Sequence, residues 1–421
     1  MNASPKKKSL FLARRLTGRH ASLWVSVIAI LLMFVTASVL LLCMGKNPLT
    51  AFRSFLQGCG FLPKENYGGG SGMLTDLLDF LNYLAPLILA SLAFVTAFKA
   101  GLFNIGISGQ MLLAGFTATV LVGYNKGLSA VVAKPLVLLI GLAVGGLTGA
   151  LIGYLKYRFN IHEVVSTIMI NYIISYLTGF LINNNYVDMM TRNSRVCTPE
   201  ARLTLTNVMI GDLKCKIPLA LILAVVVALL VSFLFRKTVP GFEIKAVGLN
   251  RRCSEYAGIR VSRTILLSMG LSGAIAGLAG VTYYLGYTNT MIPKALPGMG
   301  YDSISVALLG NGSPIGILFA AVVVSVFQQG ANYMSSSIGV AKEIASLITG
   351  ILLLFASCGN YMRFRADRAM QLAAEEAIPE TGSETGPETV PETASKSEKN
   401  PDSNSDGNPD GNSDRKEAQA R

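Results

Sequence analysis

Amide and hydroxyl side chains interrupt a long apolar stretch in the N-terminal half of the chain. The segment from Leu81 to Tyr124 is long enough and apolar enough for two membrane passes, because each pass needs about 20 residues. Asn104, Ser108 and Gln110 stand at the joint between these passes. Lipid offers such groups no hydrogen-bond partners, so we expect them to face protein or a water-filled path. They serve either as hydrogen-bonded helix packing or as the lining of a pathway for a polar solute.

Two further asparagines occupy comparable positions. Asn171 lies inside the apolar run that follows Glu163, where an amide has no reason to face lipid. Asn311 ends an apolar run that begins near Tyr301 and is too short to cross a bilayer unaided. A broken or re-entrant helix at membrane depth is tolerated only when it is buried in protein or lines a cavity. We therefore predict a solute pathway lined by Asn104, Ser108, Gln110, Asn171 and Asn311.

Other polar and aromatic side chains receive structural interpretations. Glu163 and Asp302 stand where helices are expected to begin, and a carboxylate there caps or stabilises a helix. Tyr283 and Tyr284 end an apolar run and are interpreted as part of the aromatic belt at a membrane surface.

The composition excludes a soluble enzyme. Of the 421 residues, 51% are hydrophobic and only 14% are charged, which is typical of a polytopic membrane protein. The two histidines and the cysteine spacings provide no metal site, and we expect no cofactor. Cys197 and Cys215 share one loop, and the sequence leaves open whether they form a disulfide.

No phosphate-binding loop of the form Gly-x-x-x-x-Gly-Lys-Ser/Thr is present, so we expect energy to come from a partner rather than from catalysis by this chain.

The formal net charge of +12 hides an uneven distribution of charge. Lysine and arginine cluster in particular loops between apolar runs, as the positive-inside rule predicts, so the basicity does not indicate nucleic-acid binding.

The sequence predicts an all-α polytopic membrane protein with about nine or ten transmembrane helices, one of them broken or re-entrant. Its predicted parts are a basic cytoplasmic N-terminus (1–22), a lipid-embedded transmembrane domain (23–362) with an external loop (183–216) and a cytoplasmic loop (236–263), and a disordered cytoplasmic tail (363–421).

Two glycine series indicate close helix packing. Gly141, Gly145, Gly149 and Gly153 recur every four residues on one predicted helix face. A second series begins at Gly270 in a later helix. Small residues at this spacing let helix backbones approach closely, so we interpret both series as packing surfaces and not as sites.

The cytoplasmic loop 236–263 contains a predicted short helix. Asn250 is a suitable N-cap, about two helical turns can follow it, and Gly258 is a natural C-cap. Such a basic helix either anchors the loop inside the cell or seats in a groove of an ATPase. Taken alone, the helix is interpreted as an anchor. Beside the family resemblance given next, we favour coupling to an ATPase through Asn250, Arg251, Arg252, Glu255, Tyr256 and Gly258.

Three segments resemble one protein family. The segment Gly101–Gln110 resembles the Gly-Leu-Phe-Asn-Ile-Gly-x-x-Gly-Gln signature of the permease subunits of ATP-binding cassette (ABC) importers for nucleosides and simple sugars. That family usually has Glu before the last Gly-Gln, where this chain has Ser108. His162–Tyr172 resembles the family's Asn-Glu-Val and Thr-Ile-Met-x-Asn-Tyr pattern, and Gly300–Gly316 resembles its Gly-Tyr-Asp start, Ala-Leu-Leu-Gly and Pro-x-Gly restart.

The resemblance implies a multi-pass permease subunit of a bacterial plasma membrane, with both termini cytoplasmic. It also implies three partners: a second permease subunit, a cytoplasmic ATP-binding subunit and an extracellular solute-binding lipoprotein. The implied cargo is a small molecule, most consistent with a purine nucleoside such as guanosine. Asn and Gln side chains suit ribose hydroxyls and base edges, and Tyr and Phe can stack on a base.

Several alternatives stay open at this point. A simple sugar such as ribose or galactose would use much the same side chains as a nucleoside. A branched-chain amino-acid permease is the nearest neighbouring family, but it would have to recognise a charged ammonium and a carboxylate. An ion-coupled secondary transporter usually places an acidic residue at its coupling site, and the candidate helices have almost none. A membrane-embedded enzyme would need convergent acid, base or metal-ligating groups, which the sequence does not assemble.

Overall fold

The computed structural model describes residues 21–64, 67, 71–210 and 213–340, with scattered positions between 343 and 368. The predicted tail and almost all of the predicted N-terminal segment lie outside these residues. The described chain is a bundle of α-helices with one β-hairpin, as predicted for the class. In chain order the helices are α1 (Ala21–Cys43), α2 (Pro48–Gly58), α3 (Met73–Phe98), α4 (Ile107–Ala118), α5 (Ala130–Phe159), α6 (Glu163–Leu181), α7 (Leu219–Lys237), α8 (Val239–Leu249), α9 (Arg251–Tyr256), α10 (Val261–Thr282), α11 (Met299–Leu309) and α12 (Pro314–Ile338).

Within the described residues, six helices are long and apolar enough to cross a membrane: α3, α5, α6, α7, α10 and α12. The pair α1–α2 is bent by 115° and would add a seventh span if it crosses as one unit. Helix α4 with its extension (Ile107–Gly123) and helix α11 are apolar but shorter. The predicted total of nine or ten also includes the run 343–358, of which the structure describes only part. The predicted interruption lies between α11 and α12, where Asn311 and Gly312 have φ angles of 53° and 60°.

One predicted helix boundary is wrong for an identifiable reason. Helix α3 begins at Met73 and not near residue 81, because its first turns carry Asp76 and Asp79 and are too polar to be recognised by hydropathy. The segment 183–216, predicted as an external loop, contains nearly all of an antiparallel hairpin of β1 (Thr204–Ile210) and β2 (Leu213–Pro218), which the sequence analysis did not identify. The hairpin is held to α3 by Asn82, whose amide donates to the carbonyl of Lys216.

The two loop cysteines are not bonded to each other. Cys197 and Cys215 are both buried and both free. Cys197 lies near Thr119, with 4.0 Å between its sulfur and the threonine hydroxyl. Cys215 is part of β2, where it pairs in register with Val208. Both thiols are therefore part of the packing between the loop, the hairpin and the helix bundle.

Helices α5 and α10 pack backbone against backbone, as the glycine series predict. A methyl group added to Gly145 would collide with the backbone carbonyl of Gly273, and one added to Gly149 would collide with the carbonyl of Met269. Backbone-to-backbone contact of this kind requires glycine at the crossing point.

Three helices end in a π-helical turn, and one loop binds all three turns. The turns are Thr119–Gly123 after α4, Ile182–Tyr186 after α6 and Tyr283–Tyr287 after α10. Their carbonyls at Gly123, Tyr186 and Leu285 accept hydrogen bonds of 2.8–2.9 Å from the backbone N–H groups of Thr198, Arg195 and Leu203, respectively. All three helices therefore end on the same side of the bundle, under the loop 195–203.

Candidate solute pathway and coupling surface

Asn104 is the centre of a buried polar cluster. Its side-chain nitrogen donates to the hydroxyl of Ser272 (3.0 Å) and to the side-chain oxygen of Gln110 (3.2 Å), and its oxygen accepts from the N–H of Gly106 (3.0 Å). Asn104, Gln110 and Ser272 are each 0% exposed. Residues 102–105 precede α4 and are not helical, so their backbone needs these side-chain partners.

Ser108 and Asn171 extend the same cluster. The Ser108 hydroxyl donates to the carbonyl of Pro297 (2.9 Å), just before α11. Asn171 on α6 accepts from the N–H of Gly109 (2.9 Å) and donates to the carbonyl of Ile105 (3.0 Å). The structure thus brings together four of the residues predicted to line the pathway, and none of the four borders the cavities described below. That these four residues line a solute pathway stays a prediction.

Serine suits position 108 because α11 packs directly on it. A methyl group added to Gly300 would collide with the Ser108 hydroxyl and backbone. The family that this chain resembles usually has a glutamate here. Because that side chain is larger, it would need α11 to lie farther away. Inside the cluster, the side-chain nitrogen of Gln110 has no hydrogen-bond partner among the described residues.

Asn311 lies apart from the cluster, at the far end of α11. It is exposed and sits in the turn between α11 and α12. The ammonium of Lys99 lies over this turn, since a methyl group added to Gly312 would be 3.3 Å from its nitrogen. Loss of hydration, with a smaller effect of the nearby Lys245 ammonium, lowers the pKa of Lys99 below its usual value.

Two adjoining cavities lie at the opposite end of α3, beside the hairpin. Their volumes are about 620 and 340 Å³, and they share Tyr287, Gln329 and Asn332 as lining residues. Ion pairs border the larger cavity, with Lys64 at 2.7 Å from Asp76 and Lys216 at 3.1 Å from Asp79. The smaller cavity is lined by Tyr83, Tyr283, Tyr287, Gln328, Gln329, Ala331, Asn332 and Glu343.

Tyrosine rings and amides make the smaller cavity suited to an aromatic, polar ligand. The rings of Tyr83 and Tyr287 meet edge to face at 5.4 Å, and Tyr283 lies 5.9 Å from Tyr287. Gln329 donates to the Tyr287 hydroxyl (2.8 Å). Rings can stack on a planar base, while amide and hydroxyl groups can bind base edges or sugar hydroxyls.

These lining residues correct two interpretations made from sequence. Tyr283 and Tyr284 do not form a surface belt, because Tyr283 lines the cavity wall and Tyr284 is buried against Gly115. Asp302 does not cap α11, since its carboxylate instead accepts from the amide of Gln328 on α12 (3.2 Å). The amide side chains at the end of α12 were a signal in the sequence for a polar site at this position. Nothing local in the sequence places Tyr83 or Tyr287 beside them.

The short helix predicted in the loop 236–263 is present as α9. The side chain of Asn250 accepts from the N–H of Cys253 (3.1 Å), and Gly258 follows the helix with a φ of 80°. Tyr256 is 93% exposed, and Leu249 is 89% exposed. The polar side chains on this surface are also exposed: Asn250, Arg251, Arg252 and Glu255.

The helix before α9 is fixed to the end of α3. A methyl group added to Gly248 would collide with the carbonyl of Lys99, so α8 packs backbone against backbone on residues 99–101. Among the described residues, no group of three or more His, Cys, Asp or Glu side chains could hold a metal ion.

Comparisons with known proteins agree with one another. A family model described as "Branched-chain amino acid transport system / permease component" matches residues 77–357. The nucleoside ABC transporter permease protein NupB of Lactococcus lactis is 34% identical over 85% of this chain and 97% of its own length. The guanosine ABC transporter permease protein NupP of Bacillus subtilis is 34% identical over 82% of this chain and 96% of its own length. The glucose ABC transporter permease protein TsgB13 of Haloferax volcanii is 26% identical over 72% of this chain and 81% of its own length. No solved structure matches the chain.

Proposed function

Since this chain belongs to the branched-chain amino acid transport system permease family, we propose that it is the membrane-spanning permease of an ABC importer for nucleosides. Guanosine is the cargo best supported by the relatives, one of which is a guanosine permease. The structural observation that supports this cargo is the cavity lined by Tyr83, Tyr283, Tyr287 and Gln329, which offers rings for a base and donors for a ribose.

The solute pathway runs between the two ends of the bundle. The cavities lie where α3 begins and α10 ends, and the exposed helix α9 lies where α3 ends and α10 begins. The loop 236–263 at the α9 end carries seven lysine and arginine residues, and we assign this end to the cytoplasm of the cell. The hairpin and cavities then face outward, and both chain termini are cytoplasmic.

Three partners complete the importer. A second permease subunit covers the pathway, a solute-binding lipoprotein delivers the nucleoside outside, and an ATP-binding subunit hydrolyses ATP inside. Helix α9 is the contact with the ATP-binding subunit, because Tyr256 and Leu249 expose apolar surface beside charged side chains. ATP-driven closure of those subunits then opens the pathway alternately to the two sides.

The test is uptake of labelled guanosine by cells with and without the gene. We expect deletion to abolish a guanosine uptake that depends on ATP, persists with an ionophore at constant ATP, and is not inhibited by excess ribose or leucine. Restoration by the wild-type gene is the control. Uptake that collapses with the ionophore at constant ATP would instead indicate an ion-coupled transporter.

A simple sugar is the second candidate cargo, because the glucose permease TsgB13 also matches this chain. The same strains distinguish it from a nucleoside. Loss of ribose or glucose uptake in the deletion strain, with guanosine uptake unchanged, would assign a sugar to the same importer architecture.

A further inference from the structure

A carboxylate that forms no ion pair within the described part of the chain lies beside the smaller cavity. Asp302 is in the first turn of α11, and its contact with Gln328 is a hydrogen bond to a neutral amide. The ion pairs between described residues join Lys64 to Asp76, Lys156 to Glu163 and Lys216 to Asp79, so none of them neutralises Asp302. A charge held this way within a membrane protein is costly, and such residues commonly serve function.

The surroundings of Asp302 belong to the cavity wall. Gln328, which donates to the carboxylate, lines the cavity itself. Tyr83 and Tyr283 also line it, and both are close enough to Asp302 to interact with it electrostatically. A ligand bound in this cavity would therefore lie beside the Gln328 amide, with the Asp302 carboxylate one hydrogen bond away from the cavity wall.

An ionised carboxylate only accepts hydrogen bonds, so it selects ligand edges that carry N–H donors. Guanine presents two adjacent donors, its N1–H and its 2-amino group, which match the two carboxylate oxygens. Hypoxanthine presents N1–H alone, whereas N1 of adenine is an acceptor and is repelled. The N–H of Gln328 now fills the place of such a donor, so a ligand N–H could replace it with little loss of hydrogen bonding.

Resting on the proposed nucleoside importer, we propose that Asp302 is the specificity residue that selects purine nucleosides carrying N1–H, with Gln328 occupying its acceptor until the base arrives. Guanosine and inosine are then substrates, and adenosine is discriminated against in the membrane subunit itself. This discrimination adds to whatever selection the solute-binding lipoprotein exercises.

The experiment compares D302N with wild type in cells that contain the whole importer, using guanosine, inosine and adenosine. The substitution keeps the size of the side chain and replaces one acceptor oxygen by a donor. We expect guanosine kcat/KM to fall by at least about tenfold while adenosine uptake is unchanged or rises. The control is E200Q, the same acid-to-amide change on an exposed loop residue, which should leave the guanosine-to-adenosine ratio unchanged.

A second measurement uses the wild-type protein alone and so does not depend on folding of the variant. 1-Methylguanosine lacks the N1–H, and we expect it to compete at least about tenfold less well than guanosine. Equal competition, or a D302N variant with the wild-type ratio of guanosine to adenosine uptake, would overturn the proposal. A wild-type importer that carries no nucleoside at all would instead refute the proposed function.

Discussion

Asn104, Ser108, Gln110 and Asn171 show how far residue chemistry can be read from sequence. Their polarity inside apolar runs predicts burial against protein or water, and the structure places all four in one cluster. The partners could not be predicted, because Ser272 and Pro297 come from distant parts of the chain. For the same reason the sequence missed Tyr83 and Tyr287, whose neighbours on α12 are set by helix packing.

Replacing Asn104 by alanine should destabilise the folded protein. The change leaves the Gly106 N–H and the Gln110 side-chain oxygen unpaired in a fully buried site, at a cost of about 1–3 kcal/mol each. Thermal unfolding in detergent would show a lower midpoint for N104A than for N184A, in which an exposed asparagine is changed. An N104A protein with wild-type stability and lost uptake would show that Asn104 meets the solute rather than holding the helices.

At the scale of elements, patterns with a short repeat were predictable and long-range pairing was not. The glycine series, the α9 helix and its caps at Asn250 and Gly258 all occur where the sequence places them. Each of these depends on neighbours within one or two helical turns. The start of α3 and the hairpin were missed, because polar turns at Asp76 and Asp79 and short strands carry little hydropathy signal.

The α5–α10 contact should distinguish two adjacent glycines. In G145A the new methyl group meets the backbone of Gly273, whereas in G146A it lies 3.5 Å from the Ala274 methyl group, an ordinary contact. We expect G145A to lower stability by about 1–3 kcal/mol and G146A to leave it near wild type. The midpoint of thermal unfolding in detergent measures both, and equal midpoints would contradict backbone contact at this crossing.

For the whole molecule, the sequence predicted family and class, and the comparisons confirm both. The match at Gly101–Gln110 and the interruption near Asn311 were sufficient for that conclusion. The position of the cavities was not predictable, since they lie where α3, α12, the hairpin and the end of α10 meet. The two bundle ends therefore present different surfaces, one with cavities and one with the exposed helix α9.

Assembly should depend on that exposed helix. We expect Y256A to reduce co-purification of the ATP-binding subunit and guanosine uptake by about tenfold, because an exposed aromatic side chain is a frequent anchor of interfaces. The control is Y157A, which removes another exposed tyrosine near the end of α5. Equal effects of the two changes, with equal amounts of protein in the membrane, would show that Tyr256 has no special part in assembly.

The hydrogen bonds of the loop 195–203 restrict how the helix ends beneath it can move. It holds the last turns of α4, α6 and α10 at once, through Gly123, Tyr186 and Leu285. A force on this loop is thus shared among three helices, and none of the three can tilt at that end without straining the other two. Movements of the three helix ends that would otherwise be independent are therefore coupled through this one loop.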